Sequence, residues 1–155
     1  MIKSFEFKPY EGIGELKLSS PRSEIKKLLS QYNLKYNEED TRVTYEGHLT
    51  ICVEHAMFIY FDQNDCVNSI ELCMRQNTTE ADFDIIFENK RLFKQNHFEL
   101  YKILKQRDED LKEEATGLVS LKLGIGTWCG LGYFEEPLLH PETIFIFTKG
   151  SYDDI

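Results

Sequence analysis

Apolar residues along this chain recur at two different spacings, and the changes of spacing mark its elements. Polar and aromatic residues alternate from Met1 to Tyr10, a strand-like start, and Ile13, Leu16 and Leu18 mark a second short strand-like segment. Ser20 and Pro21 predict a helix start, because proline lacks an N–H that the first turn would leave unbonded anyway. Ile25, Leu28, Leu29 and Tyr32 follow at helical spacing and form its predicted buried stripe. From Arg42 to Met74 the period falls to two and β-branched and aromatic residues dominate. Val43 with Tyr45, Leu49 with Ile51 and Val53, Met57 to Phe61, and Val67 to Met74 read as antiparallel strands. The turn formers Asp62, Gln63, Asn64 and Asp65 join the last two as a hairpin.

A second helix is predicted from His97 to Gln106. Asn96 and Glu99 have the spacing of a capping box, and Phe98, Tyr101 and Leu104 fall on one face. A shift of 75 residues pairs the two helices: Ile25 with Leu100, Leu28 with Ile103 and Leu29 with Leu104. It also carries Glu38 and Glu39 onto Glu113 and Glu114, Val43 onto Leu118, and Ile70 and Leu72 onto Phe145 and Phe147. Either a duplicated unit or the general likeness of amphipathic helices produces such a match. The expected fold is α+β, an antiparallel sheet with two helices on one face, in a single domain over 1–155; a duplication would divide it into tandem β-α-β repeats at 1–76 and 77–155.

The 155 residues can bury roughly 70% of the surface an unfolded chain exposes, and a 41% hydrophobic composition supplies a core without staples. No apolar run approaches the roughly 18 residues of a membrane helix, and the start lacks the continuous apolar stretch of a secretory signal. The expectation is a soluble cytoplasmic protein. Cys52, Cys66, Cys73 and Cys129 lie far apart among apolar or small neighbours, as buried thiols do in a reducing compartment. A net charge of -9 argues against nucleic acid and anionic lipid and favours a basic protein partner.

The candidate chemistry is sparse. Gly124 to Gly132 lacks the lysine and hydroxyl residue of a P-loop and the spacing of a dinucleotide fingerprint, so a bend or bulge around Trp128 is expected there. His48, His55, His97 and His140 form no metal-ligand spacing, and neither a metal nor a cofactor is expected. Two acidic clusters, Glu38-Glu39-Asp40 and Asp108-Glu109-Asp110 with Glu113-Glu114, each follow a predicted helix C-terminus, where negative charge opposes the helix dipole. Those residues, with Tyr36 and Trp128, form the candidate partner-binding set, and Tyr32, Tyr45 and Tyr133 are further aromatic anchors. Phe58, Phe61, Phe98, Phe145 and Phe147 are expected in the core.

The Gly12-Ile13-Gly14 turn, the Ser20-Pro21 helix start, the Asp62-to-Ile70 hairpin and the closing strand from Phe145 to Gly150 together resemble small acidic bacterial immunity-type proteins. The arrangement is similar to tandem strand-helix-strand inhibitor folds of the β-lactamase inhibitory protein type. The resemblance implies a curved sheet with a binding face, and a binder that neutralises a basic toxin by covering its active site. No family motif is matched residue by residue, so it assigns no site residue. Two other classes stay open: a small-molecule site or enzyme near Trp128, Cys129 and His140, and an adaptor subunit that associates through a strand edge.

Overall fold

The computed structural model describes residues 4–30, 35–47, 55–73, 84–129 and 138–151. Three short strands open the chain, β1 (Ser4–Lys8), β2 (Gly12–Ile13) and β3 (Leu16–Lys17), followed by α1 (Arg22–Ser30). Four strands follow: β4 (Lys35–Glu38), β5 (Arg42–Gly47), β6 (His55–Phe61) and β7 (Val67–Cys73). Next come β8 (Asp84–Phe87), β9 (Lys90–Arg91), a 3-10 turn (Leu92–Lys94) and α2 (His97–Lys105). Four more strands close the fold: β10 (Lys112–Glu114), β11 (Gly117–Ser120), β12 (Ile125–Trp128) and β13 (Thr143–Phe147). The fold is α+β, as expected.

The strands divide between two sheets. The larger has the order β10-β11-β12-β13-β7-β6-β5-β4 and is antiparallel throughout, so the last strand of each four-strand run meets the other in the middle. The smaller has the order β3-β2-β1-β8-β9, and its β1 and β8 are parallel, with Phe5 opposite Ile85. The antiparallel expectation therefore holds for the large sheet and fails for the small one. Pairing of β1 with β8 joins segments about eighty residues apart, which no local pattern can announce. The expected strand at Leu49 to Val53 lies outside the described residues, as do Tyr32, Cys52, His48 and Tyr133.

Alternation along the large sheet separates its two faces. One row crosses as Val43, Ile59, Ile70, Ile146 and Ile125, and a second as Tyr45, Met57, Leu72, Ile144 and Thr127, all buried. The apolar members of these rows share one core cluster with Ile25 and Leu29 of α1, Leu100 and Leu104 of α2, and Phe7, Ile13 and Ile85 of the small sheet. This is the inner face. Each large side chain buried there contributes about 1.5–3 kcal/mol. The next residues along each strand, Phe58, Glu71 and Phe145, point the other way and stay outside that cluster.

Local chemistry fixes where the helices begin. At α2 the Asn96 side chain accepts from Glu99 N and the Glu99 carboxylate accepts from Asn96 N, both at 3.0 Å, which completes the predicted capping box. The buried stripe is His97, Leu100 and Leu104 rather than Phe98, Tyr101 and Leu104, and Phe98 is 56% exposed. Burying a histidine became possible because its Nε2 reaches Glu113 at 2.7 Å, a partner 16 residues away that the helix pattern does not contain. Before α1, Ser19 N bonds Val67 O and Val67 N bonds Ser20 O, so the helix entry is sewn to the start of β7. The Asp62 carboxylate accepts from Asn64 N and Cys66 N and closes the predicted β6–β7 hairpin, with Asp65 in the left-handed region.

Candidate interaction face

The outer face of the large sheet carries an ordered set of polar and aromatic side chains. One row runs Arg42, Tyr60, Ser69 and Phe147 across β5, β6, β7 and β13. The central row runs Thr44, Phe58, Glu71, Phe145, Gly126 and Val119, and a third runs Cys73, Thr143 and Trp128. Phe58, Tyr60, Glu71 and Phe145 are half-buried, and Trp128 is 44% exposed. Phe147, by contrast, is buried under Tyr10, whose ring meets it edge-on at 6.4 Å and whose hydroxyl donates to Leu121 O.

Glycine gives this face its relief. A Cβ on Gly126 would lie 2.2 Å from the Phe145 ring, so the tip of the ring lies over the glycine of the neighbouring strand. Gly124 takes a positive φ of 75° in the turn before β12, and a Cβ there would strike the Tyr10 ring. The described glycines of the Gly124 to Gly132 stretch thus seat aromatic rings at a turn and a strand.

Charge on the outer face forms a chain. Arg42 Nη2 donates to Glu39 at 3.0 Å, its guanidinium lies 5.5 Å from the centre of the Phe58 ring, and Tyr60 donates to the Glu71 carboxylate at 3.4 Å. Burial pushes the Glu71 carboxyl above its ordinary range, and the Tyr60 hydrogen bond and the Arg42 charge only partly oppose that. Burial also raises the Tyr60 phenol, with the Glu71 charge adding to it, and raises the Cys73 thiol, which sits 3.5 Å from Thr143 Oγ1. Neither group is primed as a nucleophile.

The predicted acidic set does not gather at one place. Glu38 lies in β4 and Glu113 and Glu114 in β10, at opposite edges of the large sheet, roughly 30 Å apart at strand spacing. Glu38 is bound by Arg22 at 3.1 Å and Lys26 at 2.9 Å, and these hydrogen bonds hold its carboxyl below the usual range. Arg22 also reaches Asp65 at 2.7 Å and the carbonyls of Glu39 and Asp40. Asp108 is buried, 3% exposed, and takes hydrogen bonds from Ser120 Oγ at 2.7 Å and Asp110 N at 2.9 Å. Lys105 donates to Glu109 O at 2.6 Å. The carboxylates of Asp40, Glu109, Asp110 and Glu114 stand exposed. Tyr36 is 59% exposed at the β4 edge beside Tyr45, whose phenol burial pushes up to about 12, as befits a core residue.

The alternative site near Trp128 separates into parts. Trp128 is on the outer face, while the buried Cys129 thiol donates to Glu142 Oε1 at 3.6 Å. His140 Nδ1 lies 3.1 Å from Phe93 O; a carbonyl only accepts, so this nitrogen carries its proton toward Phe93. Among the described residues no group of three or more His, Cys, Asp or Glu is placed to hold a metal, and no helix is long and apolar enough to cross a membrane. A cavity of about 440 Å³ beside β1 and β8 is lined by Glu6, Phe7, Ile86, Phe87, Glu88 and Asn89, with Glu88 bound to Arg107.

Sequence reasoning missed Glu71, Tyr60 and Arg42 and assigned Phe58 and Phe145 to the core. The signal was present as strand parity: Glu71 stands between Ile70 and Leu72 and shares its phase with Ser69 and Cys73, which marks a face that differs from the core side. No family model, no curated protein and no solved structure matches the chain.

Proposed function

We propose that the chain is a protein-binding module of the immunity type, acting in the cytoplasm, which neutralises a basic toxin by covering its active site with the outer face of the large sheet. One observation carries this reading: helices and small sheet pack on one face, with only Tyr10 of the β1–β2 turn covering Phe147 on the other among the described residues, while that other face bears half-buried Phe58, Tyr60, Glu71 and Phe145 beside exposed Trp128. Aromatic anchors with polar groups among them are the composition of an interface centre. Asp40, Glu109, Asp110 and Glu114 form an acidic rim that steers a basic partner, whereas Glu38, Glu39 and Glu113 are occupied within the molecule.

The finer architecture in this proposal is a tandem repeat. Arg22, the first residue of α1, pairs with Glu38 of β4; His97, the first residue of α2, pairs with Glu113 of β10. Both members of the second pair stand 75 residues after those of the first. Agreement of a contact between two positions supports duplication more strongly than agreement of helix faces does.

Association through a strand edge has less to recommend it. Among the described residues the large sheet ends in Lys35-Tyr-Asn-Glu38 and Lys112-Glu-Glu114, short and charged strands of the kind that discourage edge pairing.

Affinity capture from a native lysate at low and high salt, with mass spectrometry of the retained protein, tests the reading. The expected result is one basic protein in stoichiometric amount, with an association rate that falls at least tenfold as salt rises. Retention of no protein at either salt overturns it.

A further inference from the structure

We propose that Glu71 is the receptor for a single cationic side chain, a lysine or arginine of the protein partner, received in the row that Glu71 shares with Phe58 and Phe145. This rests on the binding reading for the source of the cation and goes beyond it in assigning the residue at the interface centre.

The register places Phe58 and Phe145 directly opposite Glu71 on the two neighbouring strands, so the carboxylate stands in a row with aromatic residues, the Phe145 ring reaching over Gly126 on the far side of its strand. It is half-buried, which means that much of the desolvation an ion pair requires has been met before the partner arrives. Its present partners do not neutralise it. Tyr60 supplies one long hydrogen bond of 3.4 Å, and Arg42, the neighbouring cation of β5, spends its ion pair on Glu39. Among the described residues no ammonium or guanidinium lies within ion-pair distance of Glu71.

The molecule builds the filled version of this arrangement elsewhere. Arg22 lies 4.2 Å from the centre of the Phe61 ring while Asp65 and Glu38 hold its guanidinium. An aromatic face with a carboxylate beside it is there a cation site, and Phe58 shows the same affinity for the Arg42 guanidinium from its own side. The net charge of -9 selects a basic partner, and a sheet face suits a side chain presented by another surface better than it encloses a small molecule.

The test uses the full chain, labelled with 15N, and n-butylammonium chloride as the probe at pH 8 and low ionic strength, with n-butanol as the neutral control. The expected result is saturable shifts in the amides of residues 57–60, 70–72 and 144–146. Glu71→Gln, which keeps the shape, weakens them at least tenfold, Phe58→Leu weakens them severalfold, and butanol produces none. Spectra of both variants away from these strands report that they are folded. Shifts confined to 38–40 and 109–114, shifts unchanged in Glu71→Gln, or no saturable shift overturn the proposal. The two readings fail separately: a captured basic protein that binds Glu71→Gln as tightly as the parent overturns this assignment alone. Butylammonium saturating at Glu71 with no protein ever captured supports the cation site and overturns the toxin-binding reading.

Discussion

Replacing Asp108 by alanine should destabilise the protein as few of its acidic residues would. The carboxylate accepts from Ser120 Oγ at 2.7 Å and from Asp110 N at 2.9 Å, Asp108 N itself donates to Leu104 O, and Ser120 Oγ in turn accepts from Leu123 N at 3.1 Å. This chain ties the end of α2 to the turn that follows β11. Each hydrogen bond to the charged group is worth about 1.5–3 kcal/mol. Asp110 is exposed and its N–H recovers water in the variant, whereas Ser120 is fully buried and its hydroxyl proton loses its acceptor. The net loss is then about 2–4 kcal/mol, since removing the carboxylate also relieves the cost of keeping a charge from water.

Urea denaturation followed by circular dichroism measures this as a lower midpoint at constant slope, and melting should fall by roughly 5–15 °C at this chain length. Glu114→Ala, an exposed neighbour in the same acidic run, should change stability by no more than about 0.5 kcal/mol. A double-mutant cycle of Asp108→Ala with Ser120→Ala should return a coupling of at least about 1 kcal/mol. A loss at Asp108 no larger than at Glu114, with no coupling to Ser120, would refute the argument that this carboxylate holds the turn.

Three further outcomes follow from the outer face and the rim. Gly126→Val places atoms where the Phe145 ring lies and should cost about 1–3 kcal/mol in urea midpoint, a cost that Phe145→Ala partly relieves in the double variant. The Glu71 carboxyl is raised in the folded state above its ordinary value of 4.5, so its protonated form is the one that folding favours. The destabilisation by its charge is therefore absent below the unfolded value and complete above the raised folded one, and Glu71→Gln should gain stability over the parent progressively as pH rises through that window. Equal pH profiles of unfolding for the two proteins would contradict this. Reversing Asp40, Glu109, Asp110 and Glu114 together should slow association with a captured basic partner at least tenfold at low salt, with little change at high salt, as stopped-flow mixing can report.

What could be read from the sequence was what neighbours in the chain decide. Asn96 and Glu99 are three residues apart and make their capping box; Asp62 to Asp65 close a turn with their own backbone; Ile25 and Leu29 face the core as their spacing demands. Misreadings arose where a distant residue changed the value of a position. His97 looks polar until Glu113 binds it, and with His97 inward the helix rotates and carries Phe98 to the surface. Asp108 looks like one more surface acid until Ser120 meets it. Glu38 looks like a charge set against a helix dipole until β4 returns it to the first turns of α1, beside Arg22 and Lys26. The outer face was hidden for a related reason: Phe58 and Phe145 are apolar enough to pass for core, and only the register that places Glu71 between them distinguishes their side of the sheet.

The meeting of β7 with β13 at the centre of the large sheet has a consequence for synthesis on the ribosome. β7 pairs through Cys73 with Thr143 and through Ser69 with Phe147, so its second edge is filled by a strand that begins seventy residues after its own end. Translation from Cys73 to Phe147 takes about 4–15 s at 5–20 residues per second. For that interval the edge of β7, a seven-residue strand whose Val67, Ile70 and Leu72 belong to the core, is held by water alone and is open to pairing with another chain. Polysomes that bring several nascent copies together therefore create the strongest opportunity for β7 to pair with β7 of a neighbour, and slowing elongation after residue 73 should raise the aggregated fraction while leaving the finished protein unchanged.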